Sequence, residues 1–259
     1  MTEELSETEI QDLKKLNLQE MIEKAKLCAC KRYNFQELEE LEKFENIEEA
    51  LKNLTLTEIA KFFYFYAKDV IKDKFPEGEL EISKDPKYSY FYAKNVIKAR
   101  FPRAEPEISK DPYLSYCYAK NIIKARFLEG EPEIAKDSEY SFLYAKDVIK
   151  GRFLEGEPEI SKDPYFSFLY AKDVIKDRFP EGEPEIAKDS EYSYFYAKDV
   201  IEERFQEGES AIAEDPYLSY IYAKDVIKGK FPKGEPAIAK DSRYLYRYEI
   251  DVIKNILEE

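Results

Sequence analysis

One hexapeptide motif, Tyr-Ala-Lys-Asp-Val-Ile, returns along the chain in close variants and at a constant spacing. Its tyrosine stands 26 residues from the next in every case, and eight such units run from about residue 58 to the C-terminus. A constant period of this length is typical of repeat proteins, in which each unit buries apolar surface against its neighbours. The repeat tyrosines are Tyr66, Tyr92, Tyr118, Tyr144, Tyr170, Tyr196, Tyr222 and Tyr248. The spacing therefore restricts the chain to a file of similar units.

Each unit carries its own helix signals. Asp163 is a good N-cap, and Pro164 suits the first position of a helix. A helix of roughly 16 residues is predicted to follow, ending at residues 179–180, where proline prevents continuation. A second, short helix is predicted at about 184–188. The long helix is apolar on two sides, which is typical of a helix packed between two neighbours.

The predicted fold is therefore all-α, without strands: an α-solenoid of eight 26-residue helical-hairpin repeats, one long and one short helix each, behind an N-terminal helical cap. Residues 1–57 lack the repeat and are predicted to form this cap, or a separate interaction segment, with helices at 8–16, 18–32, 35–44 and 47–54. Thr55 and Glu58 have the spacing of a capping box that leads into the first repeat helix. Residues 58–259 form the predicted solenoid.

A second period lies on top of the first. Units that open Asp-Pro alternate with units that open Asp-Ser. The residue that follows is a tyrosine in the first kind (Tyr113, Tyr165 and Tyr217), whereas the second kind has Glu139, Glu191 and Arg243.

Charged residues also recur in columns, because the period is constant. We expect two outward ridges. The basic ridge consists of Lys94, Lys98, Lys120, Lys124, Lys146, Lys150, Lys172 and Lys176, and the acidic ridge includes Glu131, Glu133, Glu157, Glu159, Glu183 and Glu185. One interpretation is that these ridges only solvate the array and form surface salt bridges between units, which contribute little. The other is that one ridge is a docking surface.

Two further columns suggest a structural contact. Asp173 and its equivalents lie in the second apolar stripe of the long helix, and Arg178 and its equivalents lie at the edge of the first. We expect the aspartate of one unit to pair with the arginine of the next, so that the substitution Asp173→Ala lowers thermal stability.

The residue types present argue against catalysis. The chain has no histidine, and it has no glycine-rich phosphate loop. Every pair of carboxylates recurs from unit to unit, whereas an active site is a single constellation. Cys28 and Cys30 have no second pair or histidine to complete a four-ligand metal site. We therefore predict a protein without enzymatic activity, catalytic residues, metal or cofactor.

Charge and hydropathy bear on partners and location. The 41 basic and 55 acidic residues give a net charge of −14, which argues against direct binding to nucleic acid, because that binding is driven by a basic surface. The longest strongly apolar run, residues 62–67, is far shorter than a membrane span. The N-terminus does not resemble a secretory signal, and the three cysteines suggest a reducing compartment. We expect a cytoplasmic protein without a membrane partner.

The string Tyr-Ala-Lys-Asp-Val-Ile-Lys-Gly-Arg-Phe-Leu-Glu-Gly-Glu-Pro-Glu-Ile, residues 144–160, resembles short helical repeat proteins of bacteriophages and large DNA viruses. The similarity covers about residues 66–253. The resemblance implies a viral protein that acts in a host cytoplasm, where such proteins often sequester host or defence factors.

The function predicted from the sequence is non-enzymatic protein binding through the repeated surface, in a viral protein that inhibits a host factor. The alternative is an acidic mimic of nucleic acid that acts as a decoy for proteins that bind DNA or RNA. A third option is self-association, as a homo-oligomer, through Tyr113, Tyr165 and Tyr217.

Overall fold

The computed structural model describes residues 20–21, 42–44 and 46–254. The chain divides into two compact units, Met1–Glu133 and Ile134–Glu259. The helix predicted at 8–16 lies outside the described residues, and those predicted at 18–32 and 35–44 lie largely outside them. Helix α1 spans Ile47–Asn53, close to its predicted bounds. The capping box is confirmed, since Thr55 and Glu58 exchange both of its hydrogen bonds.

Each of the first seven repeats consists of a first helix and a shorter second helix, and the described part of the eighth contains the first helix. The first helices are α2 (Leu56–Phe65), α4 (Pro86–Tyr92), α6 (Pro112–Tyr118), α8 (Ser138–Tyr144), α10 (Pro164–Tyr170), α12 (Ser190–Tyr196), α14 (Pro216–Tyr222) and α16 (Ser242–Tyr248). The second helices are α3 (Pro76–Ser83), α5 (Glu105–Ile108), α7 (Glu131–Ile134), α9 (Glu157–Ile160), α11 (Glu183–Ile186), α13 (Glu209–Ile212) and α15 (Glu235–Ile238). The N-caps are the predicted ones, and Asp163 accepts a hydrogen bond from the backbone N–H of Phe166 at 3.0 Å.

Every first helix continues directly into a π-helical turn. These turns span Tyr66–Ile71, Ala93–Ile97, Ala119–Ile123, Ala145–Ile149, Ala171–Ile175, Ala197–Ile201, Ala223–Ile227 and Glu249–Lys254. In the fifth repeat the Lys176 N–H donates to the Ala171 carbonyl at 2.7 Å, across five residues. Lys176 then adopts a left-handed φ of 60°, which ends the helix. The helical part of this repeat therefore ends at Ile175, four residues before the predicted end at Phe179. The left-handed Lys176 ends it, and the proline that follows Phe179 does not.

The core consists of columns of identical side chains. Tyr170, Phe179 and Ile186 are all fully buried, as are their counterparts in neighbouring repeats. Ser167 is also fully buried, and its hydroxyl donates to the Ile160 carbonyl at the end of α9 at 2.9 Å. On the opposite side Gly182, just before α11, lies so close to Ser167 that an added Cβ would sit 2.7 Å from its Oγ. The small serine side chain thus lets the first helix α10 approach two short helices.

Successive hairpins pack in chain order within each unit. In the second unit, for example, α10 contacts α8 before it and α12 after it. The part of the chain that the structure describes is helical and contains no strand. The prediction of an all-α solenoid of 26-residue helical hairpins is confirmed. No helix within the described residues is both long enough and apolar enough to cross a membrane.

Candidate interaction surface

Within each unit, a buried tyrosine joins a repeat to the one before it. The Tyr170 hydroxyl accepts a hydrogen bond from the Phe153 N–H at 2.8 Å and donates one to Glu157 at 2.8 Å. Both partners belong to the preceding repeat. The same pair of bonds is made by Tyr92, Tyr118, Tyr196, Tyr222 and Tyr248. A sequence signal for this contact existed, because the tyrosine recurs in all eight repeats and the glutamate in the first seven, but the pairing depends on the packing.

An arginine completes this contact. Arg152 holds Glu157 with two hydrogen bonds of 2.7 Å. Burial raises the pKa of Glu157, but Arg152 and Tyr170 lower it by more, so the carboxyl titrates below its usual range. We call this set the tyrosine ladder: the buried tyrosine, the phenylalanine N–H, the glutamate and its arginine. The arginines that take this part are Arg100, Arg126, Arg152, Arg178 and Arg204.

The tyrosine ladder corrects the predicted acidic ridge. Glu131 and Glu157 are buried, and Glu183 is half-buried against Arg178. These carboxylates point inward because they accept hydrogen bonds from arginine, which neutralises them. The next glutamates along, Glu133, Glu159 and Glu185, are half-buried as well. Glu159 pairs with Lys162 and Glu185 with Lys188, within the same hairpin.

In four repeats of the second unit the first lysine of the repeat makes a second contact between repeats. The Lys146 ammonium lies 2.7 Å from Asp173 of the next repeat and 5.3 Å from the centroid of the Phe142 ring. The same ion pair is made by Lys172–Asp199, Lys198–Asp225 and Lys224–Asp251. We call these pairs the lysine ladder. Lys94 and Lys120 lie over Tyr90 and Tyr116 in the same way.

The lysine ladder corrects the predicted partner of the aspartate column. Asp173 pairs with Lys146 and not with an arginine. The reason is that each arginine is held in both of its fork positions by the glutamate five residues further on, and bidentate arginine–carboxylate pairs are the stronger ones.

The second lysine of each repeat faces outward. Lys98, Lys124, Lys150 and Lys176 are exposed, at the left-handed residue that ends the π-helical turn. None of these four forms an ion pair with another described residue. Of the two predicted ridges, this half of the basic one is therefore available to a partner.

A further outward column lies at the start of the first helices. Tyr113, Tyr165 and Tyr217 are 51%, 44% and 47% exposed. The sequence pointed to these tyrosines but not to their neighbours: the Tyr165 ring lies 5.6 Å from the ring of Tyr192 in the next repeat. We call this position the outer column. It consists of Lys87, Tyr113, Glu139, Tyr165, Glu191, Tyr217 and Arg243.

Two observations concern metal-ligating and thiol side chains. Residues 20–21, 42–44 and 46–254 contain no group of three or more His, Cys, Asp or Glu side chains placed to hold a metal ion. Cys28 and Cys30 lie outside the described residues. Cys117 is buried, and burial raises the pKa of its thiol, which disfavours the reactive thiolate.

The fold and its surface define the class: this is an α-solenoid repeat protein. Comparison with protein-family models gives no match, and neither does comparison with the curated proteins or with the solved structures.

Proposed function

We propose that this chain is a non-enzymatic scaffold that binds a protein partner through the outward columns of its repeats. The supporting observation is a difference between columns of the same chain. The buried tyrosine, the phenylalanine and the glutamate of the tyrosine ladder keep one residue type from junction to junction, whereas the outer column changes among lysine, tyrosine, glutamate and arginine. Since packing makes the same demand on every repeat, the position that varies is one that packing leaves free.

The chemistry of the outer column supports binding to protein. Tyrosine provides a large apolar ring and a hydroxyl at low cost in side-chain entropy, and it is enriched where proteins bind one another. Three tyrosines expose about half of their surface. The outward lysines Lys98, Lys124, Lys150 and Lys176 add positive charge just after the π-helical turns of their repeats.

We propose further that the partner is a host protein in the host cytoplasm. The support is the resemblance of residues 66–253 to repeat proteins of bacteriophages and large DNA viruses. The acidic decoy is a weaker alternative, because it needs an exposed glutamate rail, and Glu131 and Glu157 are buried against arginines. Salt-dependent competition with DNA for a DNA-binding protein would favour the decoy.

The experiment is affinity capture from host lysate with the immobilised full chain, followed by mass spectrometry. The test variant replaces Tyr113, Tyr165 and Tyr217 by alanine. The control replaces Leu128 and Leu154, which are 65% and 64% exposed, by alanine. We expect one protein to be retained by the native chain and by the leucine control, and to be lost with the tyrosine variant. Retention by all three chains, or by none, contradicts the proposal.

A further inference from the structure

Two ring pairs in the second unit have the same geometry. The ring centroids of Tyr165 and Tyr192 are 5.6 Å apart with an interplanar angle of 45°, and those of Tyr217 and Tyr244 are 5.5 Å apart with an angle of 44°. A third ring recurs beside each pair. The Phe168 ring centroid lies 6.2 Å from that of Tyr192 with an interplanar angle of 24°, and the Tyr220 centroid lies 6.3 Å from that of Tyr244 with an angle of 22°. The two pairs are therefore copies of one site, displaced by two repeats.

The chain fills the second copy with its own cation. The Arg243 guanidinium carbon lies 5.4 Å from the centroid of the Tyr244 ring, and its Nη2 lies 2.7 Å from Asp241 Oδ2. This arrangement combines a cation–π contact with a charge-assisted hydrogen bond. The first unit has a related contact, since the Lys87 ammonium lies 5.9 Å from the centroid of the Tyr88 ring.

The first copy has the same ring and the same aspartate but no cation of its own. The residue that corresponds to Arg243 is Glu191. Asp189, which corresponds to Asp241, accepts backbone N–H bonds from Glu191 and Tyr192. Neither carboxylate forms an ion pair with another described residue. Burial and the nearby charges of Asp189 and Glu191 raise the pKa of Tyr192.

We propose that Tyr165 and Tyr192, with the carboxylates of Asp189 and Glu191, bind an arginine side chain from a basic segment of a partner protein. The proposal rests on the proposed function, protein binding through the outer column, and specifies the chemistry of the partner. Arginine fits better than lysine because its planar guanidinium stacks on a ring while its fork reaches a carboxylate. The net charge of −14 attracts a basic segment over a longer range.

The first experiment is a titration of the full chain with a blocked hexa-arginine peptide and with N-acetylarginine amide, followed by NMR of the tyrosine rings. We expect both probes to shift the Tyr192 and Tyr165 ring signals, and hexa-lysine to bind several-fold more weakly than hexa-arginine. The variant Glu191→Arg copies the sequence of the last repeat and fills the site from within. It should weaken hexa-arginine binding about tenfold, since it adds a competing cation and removes a carboxylate.

The matched control is Glu203→Arg, which makes the same charge change at an exposed loop position. It should weaken hexa-arginine binding by less than about twofold, because a single exposed charge contributes little. Tyr165→Ala tests the contribution of the ring without disturbing the core, because this side chain is 44% exposed. We expect it to weaken hexa-arginine binding about threefold. Circular dichroism checks that the variant is folded. Equal weakening by Glu191→Arg and Glu203→Arg would overturn the proposal in favour of unspecific attraction.

A second copy of this chain is the competing occupant, because Arg243 is exposed. Light scattering that finds a dimer in the native chain and a monomer in Glu191→Arg would overturn the proposed occupant. The proposed function fails separately: if a partner is captured and is lost with the tyrosine variant, but no arginine probe shifts Tyr192, only the arginine site is wrong.

Discussion

The tyrosine ladder and the lysine ladder join the same repeats by different physical means. In the tyrosine ladder the Tyr170 hydroxyl is fully buried, and Glu157 is 7% exposed. In the lysine ladder the side chains of Lys146 and Asp173 are 45% and 30% exposed. Water can replace a lost partner in the second case but not in the first. The comparison teaches that a recurring polar pair stabilises the array according to its burial, and not according to how often it recurs.

The largest expected effect is an alkaline transition of the tyrosine ladder. Burial raises the pKa of Tyr248 to about 12 and raises the pKa values of Tyr92, Tyr118, Tyr170, Tyr196 and Tyr222 further. In the unfolded chain these hydroxyls ionise near pH ~10. The stability they confer is therefore complete below about pH 10 and is lost as the pH rises through the folded values.

By about pH 11 we expect a loss of several kcal/mol, because each buried tyrosine contributes about 1.4 kcal/mol per pKa unit. Helix content from circular dichroism and tyrosinate absorbance should change together. Ionisation of all tyrosines near pH 10 with no loss of helix would contradict the role of the tyrosine ladder.

The variant Tyr170→Phe removes one hydroxyl from the tyrosine ladder. It leaves the Phe153 N–H and the Glu157 carboxylate without that partner in a buried place, so we expect a loss of about 2 kcal/mol in the free energy of unfolding. Urea denaturation measures it. Tyr165→Phe, at an exposed tyrosine, is the control and should change stability by less than about 0.5 kcal/mol. Equal effects of the two variants would show that burial does not decide the contribution.

The variant Gly182→Ala tests the close approach beside the tyrosine ladder. An added Cβ would lie 2.6 Å from Phe179 Cδ1 and 2.7 Å from Ser167 Cβ, so we expect a loss of about 1–3 kcal/mol from overpacking. The control is Gly151→Ala. No atom lies within 4 Å of its added Cβ, and its φ is not positive, so alanine should stabilise the fold by about 0.5 kcal/mol. Thermal unfolding of both variants measures the two changes in stability.

The variant Arg152→Lys separates geometry from charge in the tyrosine ladder. Lysine keeps the charge but loses the fork, and we expect a loss of about 1 kcal/mol, since Arg152 is half-exposed and the pair is partly screened. The chain contains this substitution at its last junction, where Lys230 replaces the arginine and forms no ion pair with Glu235. Because the folded pKa of Glu157 is lowered, the difference between native and variant chains should shrink as the pH falls below about 4.3.

The smallest expected effect belongs to the lysine ladder. Asp173→Ala removes the exposed pair with Lys146 and should lower the free energy of unfolding by about 0.5 kcal/mol. This loss of stability should disappear in 1 M salt, because salt screens the exposed ion pair. A loss as large as that of Tyr170→Phe in urea denaturation would remove the distinction between the two ladders.

Much of this architecture is readable from residue order. The 26-residue interval predicted the stacked hairpins, and Asp163 and Pro164 predicted where the first helix α10 begins. These are local signals: an N-cap and a first-turn proline act on the backbone within one turn. The end of the same helix was not predicted, because Lys176 adopts its left-handed conformation although nothing in its residue type favours it.

The outward sites were only half predicted. Lys98 and Lys176 are exposed as expected, whereas Lys146 and Glu157 are taken up by contacts between repeats. The repeat period shows which residues occupy equivalent positions, but it does not show whether a neighbouring repeat covers them.

Periodicity and helix signals alone establish that the chain is a series of helical hairpins, because they depend on residues close together in sequence. The packing of repeat on repeat decides the rest: which carboxylates are buried against arginine, which lysines remain outside, and that Tyr165 meets Tyr192. The physical reason is that the contacts between repeats join residues 13 to 31 positions apart, and the choice among several oppositely charged partners depends on the distances that folding creates.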